Sequence, residues 1–292
     1  MQEKVFTVNG ETEIFGIVGN PVHHSLSPAM HNASFRALGM NCIYIPLLTT
    51  DVHHGVEGLK ALGFKGVSVT IPHKQDVIPF VNIMDPVAEK IGAVNTLLIK
   101  DCIVEEGPPP NAEKTVYGYN TDWIGANRAL AEKIDLKGSR VLVVGAGGSA
   151  RAIGFGLLEA GAEVIITNRT VSKGDSLAGM LDCSFVGLDE LDQVEADVLV
   201  NATSVGMVPD IDKTPVSPEL LKKFSVVMDI VYAPFQTRLL REAEEAGCKV
   251  VDGLSMLLFQ GAAQFELWTE REAPVDVMRE VLDRRFGERG GR

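Results

Sequence analysis

A single lysine follows the end of a predicted strand in the stretch SVTIPHK, residues 68–74. Residues 68–71 have the β-branched character of a strand, and Pro72 ends it because proline brings no N–H to a sheet ladder. Lys74 comes two residues later. A lone lysine at such a place is ordinarily a solvated loop charge. In an active site, its ammonium could stabilise negative charge that develops on a substrate oxygen and supply a proton to it.

The glycine-rich stretch GAGGSAR, residues 145–151, indicates a second kind of chemistry. It follows the strand-like RVLVV and opens a helix, and Gly145, Gly147 and Ala150 fit the GxGxxA pattern of dinucleotide sites. Backbone without Cβ atoms can approach a pyrophosphate closely, and a helix N-terminus offers it free N–H groups. A turn that only helps packing is the alternative. The strand-turn-helix context favours the dinucleotide site.

The strand predicted after this helix ends in NRT, residues 168–170. Folds that bind NAD place Asp or Glu near this point, on the ribose 2′-hydroxyl. Here the position holds Asn168 with Arg169 beside it. Arg169, helped by Lys173 and Arg151, can form charge-assisted bonds to a 2′-phosphate. We therefore predict NADP rather than NAD, although without the glycine loop Arg169 would be an ordinary surface arginine.

Strand-like and helix-like segments alternate along the chain and must hold these residues in place. This alternation is the pattern of an α/β protein with mostly parallel sheets. The predicted strands are EIFGIVGNP, NCIYIPLL, FKGVSVTIP, RVLVVGA, EVIITN, DVLVNAT, SVVMDIVY and CKVVDG. After Gly253 only helix-like sequence remains. In the helix that follows Leu26, Ser27 is a candidate N-cap and Pro28 suits the first turn. We expect Ser25 not to cap this helix.

Composition and charge exclude several classes of function. A formal net charge of −12 argues against binding to nucleic acids or anionic membranes, because both need a basic surface. The four cysteines form no CxxC pair and the histidines have no ligand spacing, so we predict no metal site. No stretch predicts a signal peptide or a membrane span, which favours a cytoplasmic protein. Residues 100–116 contain three prolines and are predicted to form an exposed excursion or hairpin tip.

An ordered series of motifs resembles the shikimate dehydrogenase family and covers nearly the whole chain. Besides SVTIPHK, GAGGSAR and NRT, the series contains SLSP, GAVNT, GYNTD, NATSVGM, DIVYAPFQT and GLSMLLFQGA. The resemblance implies a substrate domain, a Rossmann-like NADP domain and a cleft between them. The implied reaction is the reversible reduction of 3-dehydroshikimate to shikimate with NADPH, a step of chorismate and aromatic amino acid biosynthesis.

On this basis we expect three segments. Residues 1–122 would form an N-terminal substrate domain on a parallel sheet. Residues 123–252 would form the NADP-binding domain, and residues 253–292 would be helices that pack back on the substrate domain. A small-molecule substrate is the partner that the resemblance implies. Oligomeric state is left open, with a homodimer as one option, and so is the degree of domain closure.

The resemblance also implies roles for individual residues. Lys74 and Asp122 would be the catalytic pair, and the sequence does not decide whether Lys74 is the proton donor or chiefly an electrostatic stabiliser. The substrate carboxylate would be bound by Ser25, Ser27 and Tyr232, and the ring hydroxyls by Thr70, Asn95 and Gln260. The cofactor-binding residues would be Gly145, Ala146, Gly147, Gly148, Ser149, Ala150, Asn168, Arg169, Thr170, Lys173, Thr203, Ser204, Val231 and Gly253.

Ser68 departs from the family pattern, because many relatives carry asparagine at this position. Its hydroxyl can still donate and accept, but its reach is shorter, so the family pattern does not define the network near the substrate hydroxyls at this position. A quinate/shikimate dehydrogenase of broader substrate or coenzyme range is the nearest alternative function. A ligand-sensing regulator without catalysis is another, and the presence of both Lys74 and Asp122 argues against it. The resemblance implies no role for His73.

Overall fold

The computed structural model describes residues 7–102 and 114–287. Strands and helices alternate along the chain, and the predicted α/β class is confirmed. The strands are β1 Glu13–Gly19, β2 Cys42–Leu48, β3 Gly66–Val69, β4 Ile83–Met84, β5 Thr96–Asp101, β6 Lys114–Tyr119, β7 Arg140–Val144, β8 Glu163–Thr167, β9 Ser184–Val186, β10 Val198–Asn201, β11 Val226–Asp229 and β12 Lys249–Val251. The helices are α1 Ser27–Ala37, α2 Val52–Ala61, α3 Pro86–Ile91, α4 Asp122–Ala131, α5 Gly148–Glu159, α6 Val171–Leu181, α7 Pro218–Leu221, α8 Arg238–Glu245, α9 Gly253–Thr269 and α10 Val275–Gly287.

The chain divides into two compact units. Unit 1 contains the chain up to Thr121 and from Gly261 onwards, and unit 2 is the continuous segment between them. Helix α9 begins at Gly253, where the C-terminal helices are predicted to start, and contributes residues to both units. Most of the predicted excursion, residues 103–113, lies outside the described residues.

Unit 1 is built on a sheet with the strand order β2-β1-β3-β5-β6-β4. Strand β1 runs parallel to β2 and β3, whereas β5 is antiparallel to β3 and β6. This strand departs from the predicted parallel sheet. Strands β5 and β6 follow each other along the chain and pair directly, with Asp101 opposite Lys114, and a direct connection of this kind suits antiparallel neighbours. Val67, Leu97 and Val116 lie fully buried in the core of this unit.

Unit 2 contains a fully parallel sheet with the strand order β12-β11-β10-β7-β8-β9. Numbered from its first strand, this is the 3-2-1-4-5-6 order of dinucleotide-binding folds, in which the switch point lies between the first and fourth strands. These strands are β7 and β10. Their residues Val141, Leu142, Val198 and Leu199 are all buried, as expected for a parallel sheet that is covered on both faces.

The second half of α9 packs against the sheet of unit 1. The indole N–H of Trp268 donates to the carbonyl of Leu97 in β5 at 2.9 Å. Its ring lies so close to Gly66 that a Cβ at that position would come within 2.5 Å of it. A glycine at this point of β3 is therefore required by the close approach of the helix.

Across residues 7–102 and 114–287, no helix has both the length and the apolar character needed to cross a membrane. In the same ranges, no group of three or more His, Cys, Asp and Glu side chains is arranged to hold a metal ion. The four cysteines are free thiols, and two of them, Cys42 and Cys248, are buried.

Candidate active site

The first group of predicted residues lies at the carboxyl ends of β1 and β3. These parallel neighbours sit at a switch point, because the chain passes from β1 to β2 on one side of β1 and from there to β3 on the other. Open α/β sheets bind ligands at such a point, beyond the carboxyl ends of the strands. Ser25 and Ser27 follow β1, and Thr70 and Lys74 follow β3. The structure therefore brings these four residues to one end of the sheet.

The hydroxyl of Ser25 caps helix α1. The amide N–H of Ser27 donates to Oγ of Ser25 at 3.3 Å, whereas the N-cap position is Leu26 and has no side-chain bond. The predicted capping role of Ser27 is wrong, and so is the exclusion of Ser25. A serine can close a short turn onto the amide two residues later, which places its oxygen at the helix N-terminus. Ser27 is buried, and Ser25 is half-buried.

The loop that carries Lys74 is held by hydrogen bonds at Lys74 itself and at His73. The carbonyl of Lys74 accepts from the amide N–H of Val94 at 2.7 Å. Nε2 of His73 lies 2.7 Å from the carbonyl oxygen of Thr49, and because a carbonyl can only accept, Nε2 carries the proton. His73 is buried and ties this loop to the residue that follows β2. No pattern in the sequence indicated this role.

Asn95 reaches the same end of the sheet because β5 runs antiparallel and begins at the next residue. Its carbonyl accepts from the N–H of Val69 at 2.7 Å. Its side-chain Oδ1 accepts from the N–H of Thr121 at 2.8 Å and from the hydroxyl of Thr96 at 2.6 Å, and its Nδ2 donates to Oγ1 of Thr121 at 3.0 Å. Asp122 follows in the chain, is buried and is the first residue of α4.

A chain of buried hydrogen bonds connects Asn95 to β3. Gln264 in α9 donates from Nε2 to the carbonyl of Asn95 at 3.1 Å and to Oγ1 of Thr96 at 2.8 Å. Its Oε1 accepts from the hydroxyl of Ser68 at 2.8 Å, and Ser68 in turn accepts from the phenol of Tyr44 at 2.6 Å. The single hydroxyl proton of Ser68 is therefore used on Gln264.

Gln264 and Tyr44 were not predicted as site residues. A signal for Gln264 was available, because it lies four residues after Gln260 in a largely apolar helix, and residues four apart share one face. Tyr44 gave none, since an aromatic residue in a strand is ordinary. The ring of His31 stacks on Tyr44 with 4.5 Å between centroids. Burial lowers the pKa of His31 to about 3, against a smaller opposing effect of Gln264, so this imidazole is neutral.

Two other residues predicted to bind substrate, Tyr232 and Gln260, belong to unit 2. Gln260 is buried in α9, where its Nε2 donates to the carbonyl of Leu257 at 2.9 Å. Tyr232 follows β11, and burial raises the pKa of its phenol. Both polar groups lie in surroundings of low dielectric constant, where a hydrogen bond to a ligand is strengthened.

The glycine-rich loop of unit 2 joins β7 to α5. Gly145 has a φ of +128°, and a Cβ there would lie 3.0 Å from the carbonyl oxygen of Ala202. Only glycine suits this conformation and this close approach. Gly147 is the N-cap of α5, and a Cβ there would meet no atom within 4 Å. The loop is therefore open toward its outer side, where free N–H groups of a long helix can bind a pyrophosphate.

The NRT stretch follows β8, the parallel neighbour of β7. Asn168 donates from Nδ2 to the carbonyl of Thr170 at 2.8 Å and so closes the turn. Arg169 and Lys173 are exposed. Nη1 of Arg151 in α5 donates a hydrogen bond to Sδ of Met180 at 2.9 Å. The buried Nε of Arg151 has no hydrogen-bond partner among the described residues. The absence of a carboxylate from NRT, together with these cations, suits a 2′-phosphate.

A buried carboxylate joins the loops that follow β10 and β11. Asp229 accepts from Nδ2 of Asn201 at 2.9 Å, from the N–H of Val231 at 3.0 Å and from the hydroxyl of Thr237 at 2.7 Å. Asn201 in turn accepts from the hydroxyl of Thr203 at 2.6 Å. Burial raises the pKa of Asp229 to about 6, although these donors oppose the shift. The network fixes the main chain at Thr203 and Val231, both predicted cofactor residues.

Gly253 supports the same region by close packing. A Cβ at Gly253 would lie 2.5 Å from the carbonyl oxygen of Ile230, the residue before Val231. Ser204, in contrast, is exposed in the loop after β10.

Each unit thus presents polar groups beside a switch point. Those of unit 1 suit a small hydroxylated acid, and those of unit 2 suit a phosphorylated dinucleotide.

Family profiles match three parts of the chain. The profile described as shikimate dehydrogenase substrate binding domain matches residues 17–97, and the one described as shikimate / quinate 5-dehydrogenase matches residues 127–230. The shikimate 5′-dehydrogenase C-terminal domain matches residues 253–282. These matches cover the loops at both switch points.

Whole proteins match over nearly the full length. The NADP(+) shikimate dehydrogenase of Pyrococcus furiosus is 45% identical over 278 residues, which cover 94% of this chain and 96% of the relative. A crystal structure of shikimate dehydrogenase in complex with NADP+ has a TM-score of 0.85 at 39% identity, covering 96% of this chain and 98% of that one. The Thermus thermophilus enzyme in complex with NADP(H) and shikimate has a TM-score of 0.82 at 39% identity, covering 93% and 99%. The chain belongs to the shikimate dehydrogenase family.

Proposed function

We propose that the protein catalyses the reversible NADPH-dependent reduction of 3-dehydroshikimate to shikimate, a step of aromatic amino acid biosynthesis. One observation carries this proposal. Lys74 follows the carboxyl end of β3 at the switch point of unit 1, in a chain that matches NADP(+) shikimate dehydrogenases along nearly its whole length. Unit 1 would be the substrate domain and unit 2 the coenzyme domain.

The residues of unit 2 fit NADP. The N–H groups of the loop from Gly145 to Ala150 would bind the pyrophosphate, and Arg169 with Lys173 and Arg151 would bind the 2′-phosphate. Thr203 and Val231 would line the nicotinamide end of the site. When bound, NADPH supplies the hydride for the reaction. The protein's contribution is to bind and orient it, and the Asp229 network would serve this by fixing both loops.

Lys74 and Asp122 would carry the chemistry at the substrate oxygen. As the ketone becomes an alcohol, negative charge develops on this oxygen, and the ammonium of Lys74 would stabilise the charge and can supply the proton. Asp122 would orient this ammonium. The rigid main chain around Lys74, bonded at Val94 and at His73, supports this role because it fixes the position from which Lys74 acts.

The remaining polar residues would bind the substrate. Ser25 uses a lone pair on the amide of Ser27, so its own hydroxyl proton stays available to donate to a carboxylate. Ser27 and Tyr232 would complete the carboxylate site. Thr70, Asn95 and Gln260 would bind the ring hydroxyls, with the carboxamide of Asn95 held in one orientation by Thr121 and Thr96.

We also propose a cytoplasmic location, which is supported by four free thiols that suit a reducing compartment. The substrate and NADP are the proposed small-molecule partners. A homodimer remains a prediction, and light scattering on the purified protein would test it.

A quinate/shikimate dehydrogenase is the second candidate, favoured by the description of the profile that matches residues 127–230. The test is a matrix of steady-state kinetics with shikimate or quinate and NADP or NAD. We expect shikimate to be preferred over quinate by about a hundredfold or more in kcat/KM, because the extra quinate hydroxyl would stay unpaired near Ser25 and Ser27. Efficiencies within tenfold of each other would favour the second candidate. No turnover of either substrate would contradict both.

A further inference from the structure

Gln264 connects two strands of unit 1 that carry predicted substrate residues. Its carboxamide is nearly inaccessible to solvent, at 1% exposure, and it bonds Ser68 in β3, Asn95 and Thr96 in β5. The main-chain carbonyl of Asn95 can only accept a hydrogen bond. The atom of the Gln264 carboxamide that bonds to it must therefore be the nitrogen, Nε2. The other end, Oε1, must therefore face Ser68 and accept its proton.

The direction of the remaining bonds follows from this orientation. Because Nε2 of Gln264 donates to Thr96, the hydroxyl proton of Thr96 is left for Oδ1 of Asn95, 2.6 Å away. The N–H of Thr121 also donates to this Oδ1. The carboxamide of Asn95 is thereby held in one orientation, with its oxygen toward Thr96 and the N–H of Thr121 and its nitrogen toward Oγ1 of Thr121.

We propose that Gln264 is a positioning residue for substrate binding, which acts through Thr96 to hold the carboxamide of Asn95 in its binding geometry. This inference rests on the proposed function. It also gives Ser68 a role, because its hydroxyl donates to Oε1 of Gln264 and so joins β3 to α9.

The first test is kinetic. Gln264→Met keeps the length of the side chain and removes its donors and acceptor. We expect KM for shikimate to rise about tenfold, the scale of one lost hydrogen bond in the site, while KM for NADP is unchanged and kcat falls less than about threefold. Trp268→Phe is the matched control, because it removes another buried bond from the same helix to β5 without touching Asn95. A KM for shikimate within twofold of wild type in Gln264→Met would overturn the proposal, as would an equal rise in the control.

A double variant tests whether Gln264 acts through Asn95. If it does, adding Gln264→Met to Asn95→Ala should raise KM less than about twofold further, because the group that Gln264 holds is already gone. Multiplicative effects would overturn the proposal. Thr96→Val removes the next link and should give a similar rise in KM; it decides the question if Gln264→Met does not fold.

A second readout does not depend on any substrate. The side-chain NH₂ signals of Asn95 in a ¹H–¹⁵N NMR spectrum can be assigned by their loss in Asn95→Ala. We expect these signals to move in Gln264→Met and to stay in place in Trp268→Phe. Unchanged signals in Gln264→Met would overturn the proposal. A wild-type protein that does not oxidise shikimate would contradict the proposed function, and the NMR result would still decide how Asn95 is held.

Discussion

The two units each hold a buried polar network beside a switch point, but the networks are built from different groups. In unit 1 the network of Ser68, Gln264 and Asn95 consists of hydroxyls and carboxamides, which are neutral at every physiological pH. In unit 2 the corresponding network is centred on a carboxylate, Asp229. The same topological position is therefore stabilised in one unit by neutral hydrogen bonds and in the other by an ionisable group.

The difference between the two networks indicates which ligand each unit suits. The neutral network surrounds a place where a small molecule with an acidic group and several hydroxyls would bind, and added negative charge there would repel it. The buried carboxyl of Asp229 accepts hydrogen bonds from Asn201, Val231 and Thr237, so it holds loops of its own chain together. We expect the stability of unit 2 to respond to pH in the acidic range and the network of unit 1 not to respond.

The largest effect should come from removing the side chain of Lys74 in unit 1. Lys74→Ala is expected to lower turnover by about two to four orders of magnitude, the usual contribution of general acid-base catalysis, with NADP binding unchanged. Steady-state kinetics with shikimate measure it. Lys100→Ala, an exposed lysine of the same unit, is the control and should keep full activity. Turnover of Lys74→Ala within threefold of wild type would contradict the assignment.

Asp229→Asn tests the pH response of unit 2. The pKa of Asp229 rises from 3.8 to about 6 in the folded protein, so between these values the folded state holds a proton that the unfolded chain has released. The free energy of unfolding therefore falls as pH rises through this window, by about 3 kcal/mol in total. Wild type should lose stability relative to Asp229→Asn between pH 4 and about pH 6. Chemical denaturation at several pH values measures it.

The same titration on Gln264→Met provides the comparison. Its stability relative to wild type should not change between pH 4 and about pH 7, because the nearby imidazole of His31, with a pKa of about 3, stays neutral there. A pH-dependent difference in this variant, or a flat one for Asp229→Asn, would remove the contrast between the two networks.

Arg169→Ala should affect only the coenzyme. We expect NADP binding to weaken by about 1.5 to 3 kcal/mol, the scale of a hydrogen bond between charged groups, and NAD binding to stay nearly the same. Titration calorimetry with both coenzymes measures it. Arg140→Ala, at the opposite end of the same sheet, is the matched control. Equal losses for the two coenzymes would mean that Arg169 does not meet the 2′-phosphate.

The smallest effect concerns the two serines. Ser25→Ala removes the oxygen that caps α1 and should lower the free energy of unfolding by about 0.5 to 1 kcal/mol. Ser27→Ala tests a different contact, because Ser27 has no capping bond and instead bonds the buried phenol of Tyr44. Thermal unfolding of the two variants measures the difference. An unchanged free energy of unfolding in Ser25→Ala would indicate that the capping bond seen at 3.3 Å contributes nothing to stability.

The sequence predicted most of what depends on local pattern. The alternation of strands and helices, the glycine loop after β7 and the switch to helices after Gly253 are all properties of short segments. Strands β4, β5, β6 and β9 were not predicted. Strands β4 and β9 have only two and three residues, too few to form a clear pattern. Strands β5 and β6 lie on either side of the segment predicted as an exposed excursion, and no local signal encodes their antiparallel pairing.

The parts of the site that were missed depend on distant pairs. Ser68 and Gln264 are 196 positions apart, and Asn201 and Asp229 are 28 apart. A polar residue at a strand end gives no indication of which partner it will meet, or of whether burial will shift its pKa. The capping error at Ser25 has a different cause. Turn geometry between two serines decides which hydroxyl meets the helix N-terminus, and both spacings were compatible with the sequence.

The contacts of Trp268 and Gln264 with β5 have a consequence for how the chain folds as it is synthesised. Unit 2 is continuous, so every residue of it has been made once Gln260 has left the ribosome. Unit 1 begins first but must wait for α9, because Leu97 and Thr96 receive their partners about 170 residues later. We therefore expect unit 2 to finish folding first. The early part of unit 1 would until then have unpaired polar groups and exposed apolar surface, the features that chaperones recognise in nascent chains.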